Sequence, residues 1–141
     1  MAELLTLTIA DSEQLAVLNR KRMWEEGDET NLSQQEQQQQ MVKWLQDNEF
    51  RFLGMKENDQ LQAYIMFRIE DHAYIRHFFV DPKHRRKGLA TYLLKKVIKE
   101  AGQRELRMEV PIHNTAAQNF YNSLGWKPFS LTYRMKVPKD S

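Results

Sequence analysis

Three cations and a glycine stand together at Arg85, Arg86, Lys87 and Gly88, after the apolar run "HFFV" that ends at Val80 and directly before "LATYLL". If Leu89 opens a helix, the unpaired N–H groups and partial positive charge of its first turn attract anions, and Gly88 leaves the main chain bare for a phosphate to approach. The flanking cations, with Lys83 nearby, add charge and direct contacts to the same ligand. The stretch is neither a Walker A loop, which ends in Gly-Lys-Ser/Thr, nor a dinucleotide-binding G-x-G-x-x-G. Farther along, Tyr121 shares a helical stripe with Ala117, Phe120 and Leu124. A phenol with an ordinary pKa near ~10 donates a proton at neutral pH, although spacing alone reads this stripe first as core. The four histidines, His72, His77, His84 and His113, have no H-x-x-x-H spacing, so no metal is expected.

Periodicity supplies the elements that must position these groups. "LLTLTI" alternates as a strand from Leu4 to Ile9, and a helix follows to about Trp24. After "EEGDETN" a second helix starts at Ser33, whose hydroxyl and Glu36 form a capping-box pair. "FRFLGMK", "LQAYIMFRIE" and "HAYIRHFFV" are aromatic and β-branched enough for three antiparallel strands, with "ENDQ" as the first hairpin turn. From Leu89 to Ala101 an amphipathic helix puts Leu93, Leu94 and Val97 on one face and Lys95, Lys96 and Lys99 on the other, and Gly102 ends it. "RELRMEV" is a further strand, "NTAAQNFYNSL" a helix capped by Asn114 and closed by Gly125, and "WKPFSLTYRMKV" one bent or two short strands. The order β-α-α-β-β-β-α-β-α-β-β belongs to an α/β (α+β) fold with a mixed, mostly antiparallel sheet. The helix between its fourth and fifth strands makes that pair parallel.

The 141 residues suit a single domain, 1–141. Lys and Arg total 21 against 19 Asp and Glu, a formal charge of +2 that indicates neither nucleic acid nor membrane as partner. The absence of cysteine excludes disulfides, thiolate catalysis and zinc–thiolate sites. No apolar stretch approaches the ~18 residues of a membrane span and no signal peptide is evident, so a cytoplasmic location is expected.

"RRKGLA" resembles the pyrophosphate-binding motif of the GNAT superfamily of N-acetyltransferases, Arg/Gln-x-x-Gly-x-Gly/Ala, with Arg85, Gly88 and Ala90 at its three defined positions. "NTAAQNFYNSLGW" resembles the later helix of the same family through Asn114, Ala117, Tyr121, Gly125 and Trp126. The resemblance implies a GNAT-like sheet with a splayed parallel pair, and acetyl-CoA as co-substrate. Its pyrophosphate would lie on the N–H groups of Arg85, Arg86, Lys87, Gly88, Leu89 and Ala90, its pantetheine arm would bond to the main chain of Phe79 and Val80, and Asn114 would also contact it. It implies transfer of acetyl to a primary amine, small molecule or peptide, by direct attack in a ternary complex, with Tyr121 beside the sulfur as the acid. A catalytically silent acyl-CoA-binding module would share the same motifs.

Some members of that family carry a glutamate base on the strand before the loop; the corresponding position here is Tyr74. Nearby His77 titrates in the right range for a base. By the same resemblance the amine enters beside the connection between the first two helices, here "EEGDE", where Glu25 and Glu26 would meet it. The C-terminal strands are available to pair two copies as a homodimer.

Overall fold

The computed structural model describes residues 1–28 and 30–140. Its elements run β1 (Glu3–Thr6), α1 (Ser12–Glu25), α2 (Gln34–Gln46), β2 (Arg51–Glu57), β3 (Gln60–Ile69), β4 (Ala73–Val80), α3 (Leu89–Ala101), β5 (Leu106–Met108) and α4 (Thr115–Ser123). Met1–Glu109 and Val110–Ser141 form two units, each described by itself.

In the first unit five strands lie in the order β1-β2-β3-β4-β5. The first three junctions are antiparallel and the last, β4 with β5, is parallel. Asn58 and Asp59, both at positive φ, make the two-residue turn that joins β2 to β3, a conformation these short polar residues tolerate. β3 is buried continuously from Leu61 to Phe67, as a strand covered on both faces must be. One face carries Tyr64 and Met66, packed with Leu15, Ala16 and Leu18 of α1 and Met41 of α2. The other carries Ala63, Ile65 and Phe67 beneath the buried stripe Leu89, Leu93, Leu94, Val97 and Ala101 of α3. α2 begins with the expected capping box: Glu36 N–H donates to Ser33 Oγ and Ser33 N–H to Glu36 Oε1, both at 3.1 Å.

Two irregularities shape β4. Met66 opposes His77 while Phe67 opposes Ile75, so Arg76 is an extra, bulged residue with no partner across β3. The β4–β5 ladder pairs Ala73 with Leu106, Tyr74 with Arg107 and Ile75 with Met108, and stops there. Residues 76–80 therefore continue beyond the last pair, and among the described residues no strand pairs with their outer edge, the splay that the sequence resemblance implied.

The second unit holds α4, capped by Asn114 Oδ1 accepting from Ala117 N–H at 3.1 Å. It ends in a Schellman motif: Gly125 N–H donates to the Asn122 carbonyl and Trp126 N–H to the Tyr121 carbonyl, each at 3.0 Å, with Gly125 at φ +88°. The strands expected in "WKPFSLTYRMKV" do not form. Phe129, Leu131, Tyr133, Met135 and Val137 alternate as a strand face would, yet all are exposed, and among the described residues no ladder accepts this segment. Alternation specifies which face would be buried; a strand also needs a neighbour for its main-chain groups.

Candidate functional site

Gly88 adopts φ +78°, the left-handed conformation open to glycine, and turns the chain into α3. A Cβ there would meet nothing within 4 Å. The first helical bond runs from Tyr92 N–H to the Gly88 carbonyl at 3.1 Å, and among the described residues no main-chain carbonyl accepts from the N–H groups of residues 88 to 91. Beside this helix start lies a cleft of about 500 Å³ lined by Lys87, Gly88, Thr91, Tyr92 and Lys95. The preceding loop is fixed by Asp81, whose carboxylate accepts from Lys83 N–H at 3.2 Å and from Lys21 Nζ at 3.1 Å. Burial alone would raise the Asp81 pKa, but those two donors hold it below the usual carboxylate range.

Arg85 is already engaged. Its Nη2 donates to both Glu25 oxygens at 2.8 and 2.7 Å, its Nε to the Val80 carbonyl at 3.1 Å, and its guanidinium lies 5.5 Å from the Phe79 ring centre. One side chain thus links the end of α1, the open end of β4 and the basic turn. Glu26 is also paired, with Arg22 Nη1 at 2.7 Å. The two carboxylates that the sequence assigns to a cationic acceptor are therefore each neutralised by an arginine; Glu29, the last residue of "EEGDE", lies outside the described residues.

His77 requires a correction. As a base or substrate contact it would have to be open and titrate near neutrality, but only 6% of it is exposed and both ring nitrogens are occupied. Arg22 Nη2 reaches Nε2 at 3.2 Å, so Nδ1 carries the hydrogen and faces the Tyr64 hydroxyl at 3.1 Å, which in turn donates to Asn19 Oδ1 at 3.4 Å. Burial, then the charges of Arg22 and Arg76, push its pKa down to about 2. It is a neutral member of a buried network, with the Trp44 ring edge-on at 5.6 Å.

Tyr74, the residue at the expected base position, donates its hydroxyl to Glu109 Oε1 at 3.2 Å. Burial and the neighbouring carboxylate raise the phenol's pKa, while Arg76 and Arg68 oppose them, so it stays the donor. Spacing along β4 does not reveal Glu109, which follows β5. The signal was the parallel pairing itself, which brings the strand "RELRMEV" alongside Tyr74.

Within the second unit the Schellman bond fixes the Tyr121 backbone, and its ring packs 5.1 Å from Phe120 and 5.2 Å from Trp126. Asn114 serves as the cap, as expected.

A parallel pair that opens beyond its third rung, with a basic turn and a glycine-opened helix after its first strand, is the arrangement that the GNAT resemblance implied. The acetyltransferase (GNAT) family model matches residues 15–126, and the chain belongs to that family. No curated protein sequence matches it. The fold is shared with a ribosomal-protein-alanine N-acetyltransferase from Brucella melitensis biovar Abortus 2308, at TM-score 0.78 and 18% identity over 97% of this chain and 100% of that one. A predicted acetyltransferase from Clostridium acetobutylicum, solved with acetyl-CoA, gives 0.77 and 18% over 96% of each chain. An aminoglycoside N-acetyltransferase in complex with CoA gives 0.76 and 17% over 97% of this chain and 96% of that one.

Proposed function

We propose that this protein transfers the acetyl group of acetyl-CoA to a primary amine by direct attack in a ternary complex. The observation that supports the reading is the row of N–H groups at residues 88 to 91 without a main-chain acceptor, beside a basic cleft and shortly after a strand that runs on past its last parallel rung. The diphosphate would rest on those donors with Arg85, Arg86 and Lys87 around it, and the pantetheine arm would bond along the open main chain at Phe79 and Val80. The amine nitrogen would attack the thioester carbon, the C–S bond would break as the Tyr121 phenol gave a proton to the departing thiolate, and the proton that the nitrogen sheds on becoming an amide would restore the phenol through solvent. The incoming ammonium must first lose its proton, and the Glu109 carboxylate, held by Tyr74, is the group this site offers for that step, directly or through water. The chain 1–141 acts as one catalytic domain in this proposal.

A thermal-shift titration tests binding: acetyl-CoA at 100 times its dissociation constant adds ~2.7 kcal/mol of stability. Thiol release over an amine panel tests chemistry. Tyr121→Phe is expected to keep the shift and lose turnover by about a hundredfold or more. Absence of any shift with acetyl-CoA or CoA removes the proposal, and a shift without thiol release from any amine replaces it with a silent acyl-CoA-binding module.

A further inference from the structure

The bulge on β4 puts Arg76 in an unusual position. It is the extra residue between two in-register pairs, exposed, with its guanidinium 5.0 Å from the Trp44 ring centre and 5.5 Å from that of Phe50. Two aromatic rings hold the planar group in one place and leave its N–H edge to solvent. Neighbouring Arg68 shares the Phe50 ring at 5.3 Å, but its charge is answered by Glu49 at 2.7 Å and Glu70 at 3.9 Å. Arg85 and Arg22 are likewise answered by Glu25 and Glu26. Among the described residues Arg76 has no carboxylate or hydrogen-bond acceptor, so it is an oriented guanidinium with its partner still to come.

Its place in the sheet says what that partner is. Arg76 is the first residue past the last β4–β5 rung, between the Tyr74–Glu109 pair and the open edge at Phe79 and Val80. From Arg76 to Val80 the strand advances roughly 13 Å, about the length of a dipeptide with its side chain.

We propose that Arg76 receives a carboxylate of the acceptor, and that the acceptor is therefore an amine carrying a carboxylate about a dipeptide's length from its nitrogen, rather than a polycation. This rests on the transferase reading above. The carboxylate pairs with the guanidinium edge while the amine reaches the thioester along the open strand. Arg76 is a specificity residue and takes no part in proton transfer.

Thiol release is compared for Gly-Glu amide, which carries a side-chain carboxylate, Gly-Gly and 6-aminohexanoate, which carry terminal ones, and neutral Gly-Gln amide. The carboxylate acceptors are expected to exceed Gly-Gln amide in kcat/KM by about tenfold or more. Arg76→Gln should erase the preference through KM, with kcat for Gly-Gln amide and the CoA thermal shift unchanged, and Arg76→Lys should restore part of it. The ranking among the three carboxylates identifies a peptide side chain, a peptide terminus or a small amino acid as the source. Calorimetric binding of N-acetyl-Gly-Glu amide against N-acetyl-Gly-Gln amide to the CoA-loaded protein gives the same comparison without turnover. Equal use and equal binding of neutral and anionic forms, or a preference that survives Arg76→Gln, overturns the inference; failure of CoA to bind overturns the transferase reading instead.

Discussion

At the scale of single residues, His77 shows how position overrides chemical type. Its reference pKa suits a base, but between Tyr64, Arg22 and Trp44 protonation would leave a cation facing a guanidinium. The consequence for stability has a definite sign. The unfolded chain protonates His77 near pH 6.5, whereas the folded one does so only near 2, so its contribution is complete above 6.5 and fades as the pH falls toward 2. Between pH 6 and 5, stability is expected to fall by about 1 kcal/mol per pH unit from this residue, and His77→Gln should flatten that slope in urea titrations. The histidine and its alternating strand were visible in the sequence; the neighbours that hold the ring neutral come from α1 and α2 and were not. Tyr74 is the converse case: its partner Glu109, thirty-odd positions away in the chain, reaches it only through parallel strand pairing.

At the scale of elements, local signals were read well and long-range ones less so. Ser33 and Glu36 cap α2 as their spacing requires, and the stripe from Leu89 to Ala101 is the buried face of α3. The bulge at Arg76 left no mark in the sequence because it arises from how β3 and β4 register against each other. The C-terminal alternation gave a face without giving a ladder. Between elements, the Arg85–Glu25 pair ties the end of α1 to the basic turn, and both side chains are nearly half exposed, so the bond is weak enough to exchange. In the proposed complex a diphosphate would compete with Glu25 for the same guanidinium. Glu25→Gln is therefore expected to tighten CoA about two- to fivefold by calorimetry, an effect absent in an Arg85→Ala background and larger than that of Asp28→Asn, which removes a nearby charge from outside the pair.

At the scale of the molecule, the motif pair carried the family, which neither charge balance nor size could have done. Composition does not convey where the sheet stops: the rungs between β4 and β5 end at Ile75 and Met108, and residues 76 to 80 run on with no strand paired to that side among the described residues. A bare strand margin invites any passing chain to zip onto it. The coenzyme, laid along that margin, would act as a shield as well as a reactant. Protein stripped of it is expected to scatter more light on standing at high concentration than the same preparation saturated with CoA, and equal scattering in the two samples would show that the margin is protected by other means.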